Sequence, residues 1–158
     1  MRKYLSISIV SAFLLTGCFK NEQPEPCTAK TVESEMPVMT KFATDSAIAT
    51  TQDASGLLYQ IIEPGTGTTP TASSNVTVNY TGRLMNGTKF DESLDGTVRF
   101  PLNGVIPAWT IALQKIKAGG KIKIITPSKL AYSCVYDPRF AQVNNQPLYF
   151  YVELLSVQ

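Results

Sequence analysis

Histidine is absent from all 158 residues. Without imidazole there is no Ser-His-Asp or Cys-His nucleophile and no His-ligated metal site. Cysteine is scarce, at three residues, and no two of them form a CxxC pair, which argues against dithiol redox catalysis. Charged residues make up 16% against 44% hydrophobic, an ordinary globular balance that argues against a chain disordered throughout. The length suits one domain with a real core and is too short for two large ones. Any catalysis must therefore draw on carboxylates, Tyr, Lys or Cys, or on no proton transfer at all. No metal and no cofactor is expected.

What is present begins with an address. Arg2 and Lys3 precede an uncharged, mostly apolar run over residues 4–16, which is too short for an ordinary transmembrane helix. The run ends in Leu15-Thr16-Gly17-Cys18, small residues before a cysteine, and resembles the lipobox of bacterial lipoproteins. That resemblance implies a signal peptide over residues 1–17 and lipidation of Cys18. The alternatives are an ordinary secretory signal or an uncleaved anchor, with Cys18 incidental. Phe19 is not the Asp that favours inner-membrane retention, so the expected place is the bacterial cell envelope, lipid-anchored at the outer membrane facing the periplasm or at the cell surface. Removing residues 1–17 takes away Arg2 and Lys3 and no acid, turning a net charge of +2 into balance. Such a chain has no electrostatic footprint for nucleic acid, and acyl chains rather than protein charge would hold it to a membrane. In an oxidising compartment, Cys27 and Cys134 form either a disulfide or two free thiols.

Residues 18–53 read as a polar tether, with Pro24 and Pro26 close together. Within it, residues 35–49 are ambiguous, because Met36, Met39, Phe42 and Ala43 have roughly the spacing of a short helix. Order is expected from about Gly56, giving a domain over residues 54–158. Residues 57–62 read as a strand ending in Glu63-Pro64-Gly65. Val76, Val78 and Tyr80 alternate with polar residues as a half-buried strand, and Asn86-Gly87 marks a hairpin with a return strand over residues 88–91. Pro107 opens a helix in which Trp109, Ala112, Leu113 and Ile116 share one face, and Gly119-Gly120 stops it. Residues 121–126 and 148–154 alternate again. The expected fold class is α+β: a curled antiparallel sheet, a half-barrel, wrapped around one short helix. Asp91 and Glu92 are adjacent and would face opposite ways on a strand, so they are no obvious acid–base pair. Lys115, Lys117, Lys121, Lys123 and Lys129 read as a solvated face around a helix end. Three Asn-x-Thr triplets, at Asn75, Asn79 and Asn86, read as chance.

One feature exceeds the needs of a core. Tyr80, Phe90, Phe100, Val105, Ile106, Trp109, Tyr132 and Phe150 cluster around the one helix, and three of them are Tyr or Trp, which favour a polar partner at an edge. Four ordered runs carry a resemblance. Val76-Thr-Val-Asn-Tyr-Thr-Gly-Arg-Leu-Met-Asn-Gly-Thr-Lys-Phe-Asp91, then Phe100-Pro-Leu-Asn-Gly-Val-Ile-Pro-Ala-Trp109, then Pro127-Ser-Lys-Leu-Ala-Tyr132, then Leu148-Tyr-Phe-Tyr-Val-Glu-Leu-Leu155 resemble the signatures of FKBP-type peptidyl-prolyl cis-trans isomerases. The resemblance covers residues 54–158. It implies an apolar pocket between sheet and helix, with Trp109 as the floor beneath a substrate proline and Tyr80, Phe90 and Phe150 as walls. Val98, Val105 and Phe100 would be further substrate contacts. The N–H of Ile106 and the hydroxyl of Tyr132 would bind substrate carbonyls, and Asp91 would accept a hydrogen bond at the edge. Expected partners are unfolded or newly exported proteins with X-Pro bonds, met by a monomer.

Three departures stand out. Val98 replaces a frequent Phe, and Ala108 replaces the usual Gly before the Trp. Residues 133–146 replace a Gly-rich loop and its Ile-Pro-Pro, with Phe140 or Val143 as candidates for the missing apolar contact. Two other readings follow: a non-catalytic, chaperone-like module binding Pro-containing or apolar segments, and a structural lipoprotein whose pocket is filled by its own side chains.

Overall fold

The computed structural model describes residues 26–135 and 137–158. Cys18 and the signal peptide expected over residues 1–17 lie outside the described residues. Helix α1 (Val32–Asp45) comes first, then strands β1 (Thr51–Gln52), β2 (Leu58–Glu63), β3 (Asn75–Leu84), β4 (Lys89–Ser93) and β5 (Arg99–Pro101). Helix α2 (Pro107–Leu113), β6 (Gly120–Thr126) and β7 (Leu148–Val157) complete the chain. The strands form one antiparallel sheet in the order β1-β2-β6-β7-β3-β4, with β5 also pairing with β3. The sheet curls without closing into a barrel.

The hairpin at Asn86-Gly87 forms because Gly87 adopts φ +86°, a conformation that costs glycine little. Helix α2 starts at Pro107, whose missing N–H is no loss in a first turn, and buries Ala108, Trp109, Ala112 and Leu113 against Val76, Ile122, Ile124, Phe150, Val152 and Leu154. It is shorter than the periodicity predicts, ending at Leu113, although Ile116 beyond it is still buried.

The stretch over residues 35–49 that was ambiguous in the sequence is mostly helical: α1, 14 residues long, covers it as far as Asp45 and runs through Pro37. Thr31 caps it by accepting a hydrogen bond from the N–H of Ser34, and Glu33 and Glu35 lie in its positive first turn. Met39, Ala43 and Ile48 pack with Leu58 and Ile125, with Phe42 against Tyr149. Leu58, Ile125 and Tyr149 lie on the face of the sheet opposite α2, because successive side chains alternate. Both faces are thus covered, and for this reason β6 buries Ile124 and Ile125 in succession.

Order also begins earlier than Gly56. Thr51 and Gln52 pair with Tyr59 and Leu58, Asp53 bonds Lys115 Nζ at 2.7 Å, and Cys27 is disulfide-bonded to Cys134 across 107 positions. Among the described residues no helix is long and apolar enough to cross a membrane.

Candidate functional site

Between α2 and the sheet lies a cavity of about 550 Å³. Trp109 is central to it. Its indole meets Tyr80 edge-on at 5.0 Å, Phe150 edge-on at 5.4 Å and Phe100 at a tilt at 5.3 Å, as ring-centroid distances. Such edge-on geometries are the favoured ones for aromatic quadrupoles. The indole N–H is buried and has no hydrogen-bond partner among the described residues, so ring packing holds the side chain.

The periodicity of β3 and β7 turns Tyr80 and Phe150 toward α2. Val98 arrives on a loop fastened by its own carbonyl, which accepts from the N–H of Val78, and by Asp95, whose carboxylate accepts from the N–H and hydroxyl of Thr97. Val105 and Ile106 stand just before α2. The carbonyl of Ile106 accepts from the N–H of Trp109 at 3.0 Å, which ties the helix start to the pocket rim. Tyr80, Asp91, Val98, Phe100, Val105, Ile106, Trp109, Tyr132 and Phe150 all line the cavity. Phe90 does not. It stands behind Phe150, edge-on at 5.7 Å, where Gly82 leaves room: a Cβ there would lie 2.7 Å from the Phe90 ring.

Sequence reasoning missed Gly104, Pro107 and Ala131, which also line the cavity, and left Phe140 undecided against Val143. Phe140 is the one that reaches the cavity, stacked on Tyr132 with centroids 4.7 Å apart, whereas Val143 is buried in the core. The turn Pro138–Phe140 is capped by Asp137, which also receives the Arg139 guanidinium. The usable signal for Phe140 was the Asp137-Pro138 pair, a turn-starting dipeptide that sets the following aromatic on a fixed turn.

The polar groups at the rim are few. The Tyr80 hydroxyl donates to Asp91 Oδ2 at 2.6 Å. Burial, reinforced by that carboxylate, pushes the Tyr80 phenol well above its ordinary range. Burial, with the Asp91 charge second, raises Tyr132 as well. Both phenols are therefore neutral donors at any physiological pH. Among the described residues no group of three or more His, Cys, Asp or Glu could hold a metal ion. The lysines that read as a solvated face are partly tied down: Lys115 to Asp53 and over the Tyr59 ring, and Lys121 to Glu63.

The family model for FKBP-type peptidyl-prolyl cis-trans isomerase matches residues 66–155. The chain belongs to the FKBP-type peptidyl-prolyl cis-trans isomerase family. It is 43% identical over 120 residues to FkpA of Escherichia coli K12, covering 75% of this chain and 43% of that protein. It is 42% identical over 109 residues to the outer membrane protein MIP of Legionella longbeachae, covering 66% of this chain and 45% of that one. The crystal structure of FkpA from E. coli superposes with a TM-score of 0.68 at 37% identity, over 80% of this chain and 61% of that chain. An isomerase structure from Pseudomonas syringae gives 0.63 at 32% identity, over 83% and 98%. This FKBP-family chain thus spans less than half the length of the FkpA and MIP proteins it matches. The match begins at residue 66, so the disulfide's first cysteine, helix α1 and strands β1 and β2 precede it.

Proposed function

We propose that this chain catalyses cis-trans rotation of X-Pro peptide bonds in exported proteins. The observation that carries the reading is the Trp109 floor, ringed by Tyr80, Phe100 and Phe150, inside a cavity of about 550 Å³.

The chemistry breaks no covalent bond. The barrier, about 18–20 kcal/mol, is the amide resonance lost at the twisted state. A planar amide is more dipolar than a twisted one. An apolar pocket that seats the proline ring therefore disfavours the planar amide relative to the twisted one, which lowers the barrier by differential binding. Trp109, Phe150, Val105 and Val98 supply that surface, and Phe90 supports Phe150 from behind. The Ile106 N–H and the Tyr132 hydroxyl hold substrate carbonyls on either side of the rotating bond. Tyr80 and Asp91 satisfy one another at the rim of the pocket.

The name of one relative, an outer membrane protein, supports a place in the bacterial cell envelope. Lipidation at Cys18, anchoring to the outer membrane or cell surface, and a monomeric state complete this reading. The substrates would be unfolded or newly exported proteins, for which slow X-Pro isomerisation limits folding.

The test is relaxation of a cis-enriched X-Pro tetrapeptide by the full chain. Catalysed relaxation at substoichiometric protein supports the isomerase. Peptide binding without faster relaxation would replace it with the chaperone-like binding module, for which the replaced loop at 133–146 is the supporting observation.

A further inference from the structure

Three contacts from the segment preceding the family match converge on one stretch of chain. Glu35 of α1 is 2% exposed, and its Oε2 accepts from both the N–H of Ser128, at 2.7 Å, and the Ser128 hydroxyl, at 3.0 Å. Cys27 is bonded to Cys134. The Asn145 side chain donates to the carbonyl of Thr28 at 2.9 Å and accepts from the N–H of Lys30 at 3.3 Å. Ser128, Cys134 and Asn145 all lie between the end of β6 and the start of β7. That same stretch carries Tyr132 and Phe140, two walls of the pocket.

The Ser128 contact bears most directly on the pocket. The carbonyl of Ser128 accepts from the N–H groups of Ala131 and Ser133, the two neighbours of Tyr132. One residue is therefore gripped by Glu35 on its N–H and hydroxyl, and grips both sides of Tyr132 with its carbonyl. Among its described residues the stretch has no ladder bonds, only turns and two single-turn 3-10 helices, and such segments open locally at low free energy unless something holds them. Stability alone does not account for a carboxyl at position 35. Glu35 Oε1 is buried and has no partner among the described residues, which is costly, and Met39 one turn on shows that the same face accepts an apolar side chain.

We propose that Glu35 is a positioning residue for the isomerase site. Through Ser128 it fixes the turn that presents the Tyr132 hydroxyl, so α1 belongs to the working site although it precedes the matched domain. This inference rests on the isomerase reading above.

The test compares Glu35→Met, which keeps bulk and removes the acceptor, with Glu35→Gln, which keeps an oxygen acceptor. Each is made in the full chain with and without Tyr132→Phe. Glu35→Met should lower kcat/KM about tenfold, the scale of losing a hydrogen bond to a buried donor, and Glu35→Gln should restore it to within about threefold. In the Tyr132→Phe background Glu35→Met should change kcat/KM by less than about twofold, because the hydroxyl it positions is already gone. If Glu35→Met does not fold, Ser128→Ala takes its place, with a loss of about threefold and the same collapse in the Tyr132→Phe background. An equal fall in both backgrounds would overturn the inference, as would a lowered Tm with unchanged kcat/KM.

If the wild-type chain shows no turnover, the isomerase reading fails on its own, and amide hydrogen exchange then decides the positioning. Faster exchange over residues 128–134 in Glu35→Met, with β3 and β7 unchanged and Gln protective, upholds the hold on the turn. Uniform or unchanged exchange refutes it.

Discussion

Replacing Trp109 separates packing from catalysis, although it touches both. The side chain is 5% exposed and contacts three aromatic rings. Trp109→Ala removes its buried surface and leaves a cavity, at a cost of about 3–5 kcal/mol. That is a large part of the stability of a typical domain, about 5–15 kcal/mol. At about 4 °C per kcal/mol for a domain of this size, Tm falls by roughly 12–20 °C. Measured near physiological temperature, lost activity would be hard to tell from lost fold. At about 10 °C the variant remains folded, and uncatalysed isomerisation takes minutes, so catalysis is easily resolved. If the indole contributes about 2–3 kcal/mol more to the twisted amide than to the planar one, kcat/KM falls about a hundredfold. Trp109→Phe keeps a ring on the floor and should retain activity within about tenfold, with about half the loss of Tm. The assay is peptide relaxation at this temperature, with folding checked by circular dichroism. A folded Trp109→Ala variant with kcat/KM within about threefold of wild type would refute the placing of the substrate on this floor.

Three further outcomes follow from the same structure. Because burial and Asp91 hold the phenols of Tyr80 and Tyr132 protonated beyond their ordinary range, kcat/KM should stay flat up to about pH 10, and a tyrosine-like inflection below that would contradict their roles as neutral groups. The Lys115 ammonium beside Asp53, with the Ser55 N–H and hydroxyl, holds the Asp53 carboxyl at about 2. A carboxyl lowered on folding contributes stability above its unfolded value and loses it as pH falls toward 2, so urea titrations of Asp53→Asn should show about 1 kcal/mol less stability at pH 7 and a shallower acid fall, and an unchanged acid limb would contradict this. The double replacement Cys27→Ser with Cys134→Ser opens a bond spanning 107 positions, with an expected loss of about 2–4 kcal/mol in the same titration; a loss under about 0.5 kcal/mol would contradict a stabilising role for the bond.

Strands β2, β3, β4, β6 and β7 and the start of α2 were legible because each rests on a strong local signal, whereas β1 and β5 are too short to leave one and the pocket roles around Trp109 came from the family resemblance. Alternation marks β3 and β7, Pro107 marks the helix start, and Asn86-Gly87 marks the hairpin. Helix α1 was only half legible: Met36, Met39, Phe42 and Ala43 have helical spacing, but Pro37 falls within the helix. The trace it leaves is on its partner: Ile124 and Ile125 are consecutive and apolar, as a strand covered on both faces requires. Phe90 was expected as a pocket wall from the family resemblance, but Phe150 stands between it and the cavity, which no periodicity reveals. Glu35 was invisible as a site residue, because its partner, Ser128, is 93 positions away and joined to it only by the fold.

The Trp109 pocket is proposed to speed rotation about X-Pro bonds. Exchange NMR on a peptide with a mixed cis/trans population, with a small amount of the full chain added, tests it at equilibrium. A catalyst changes the rate and leaves the populations alone, so the account predicts cis–trans exchange cross-peaks that grow with substoichiometric protein, an unchanged cis fraction, and their loss in Trp109→Ala at low temperature. Shifts that track only the bound fraction, with no exchange between the two isomers, would contradict it.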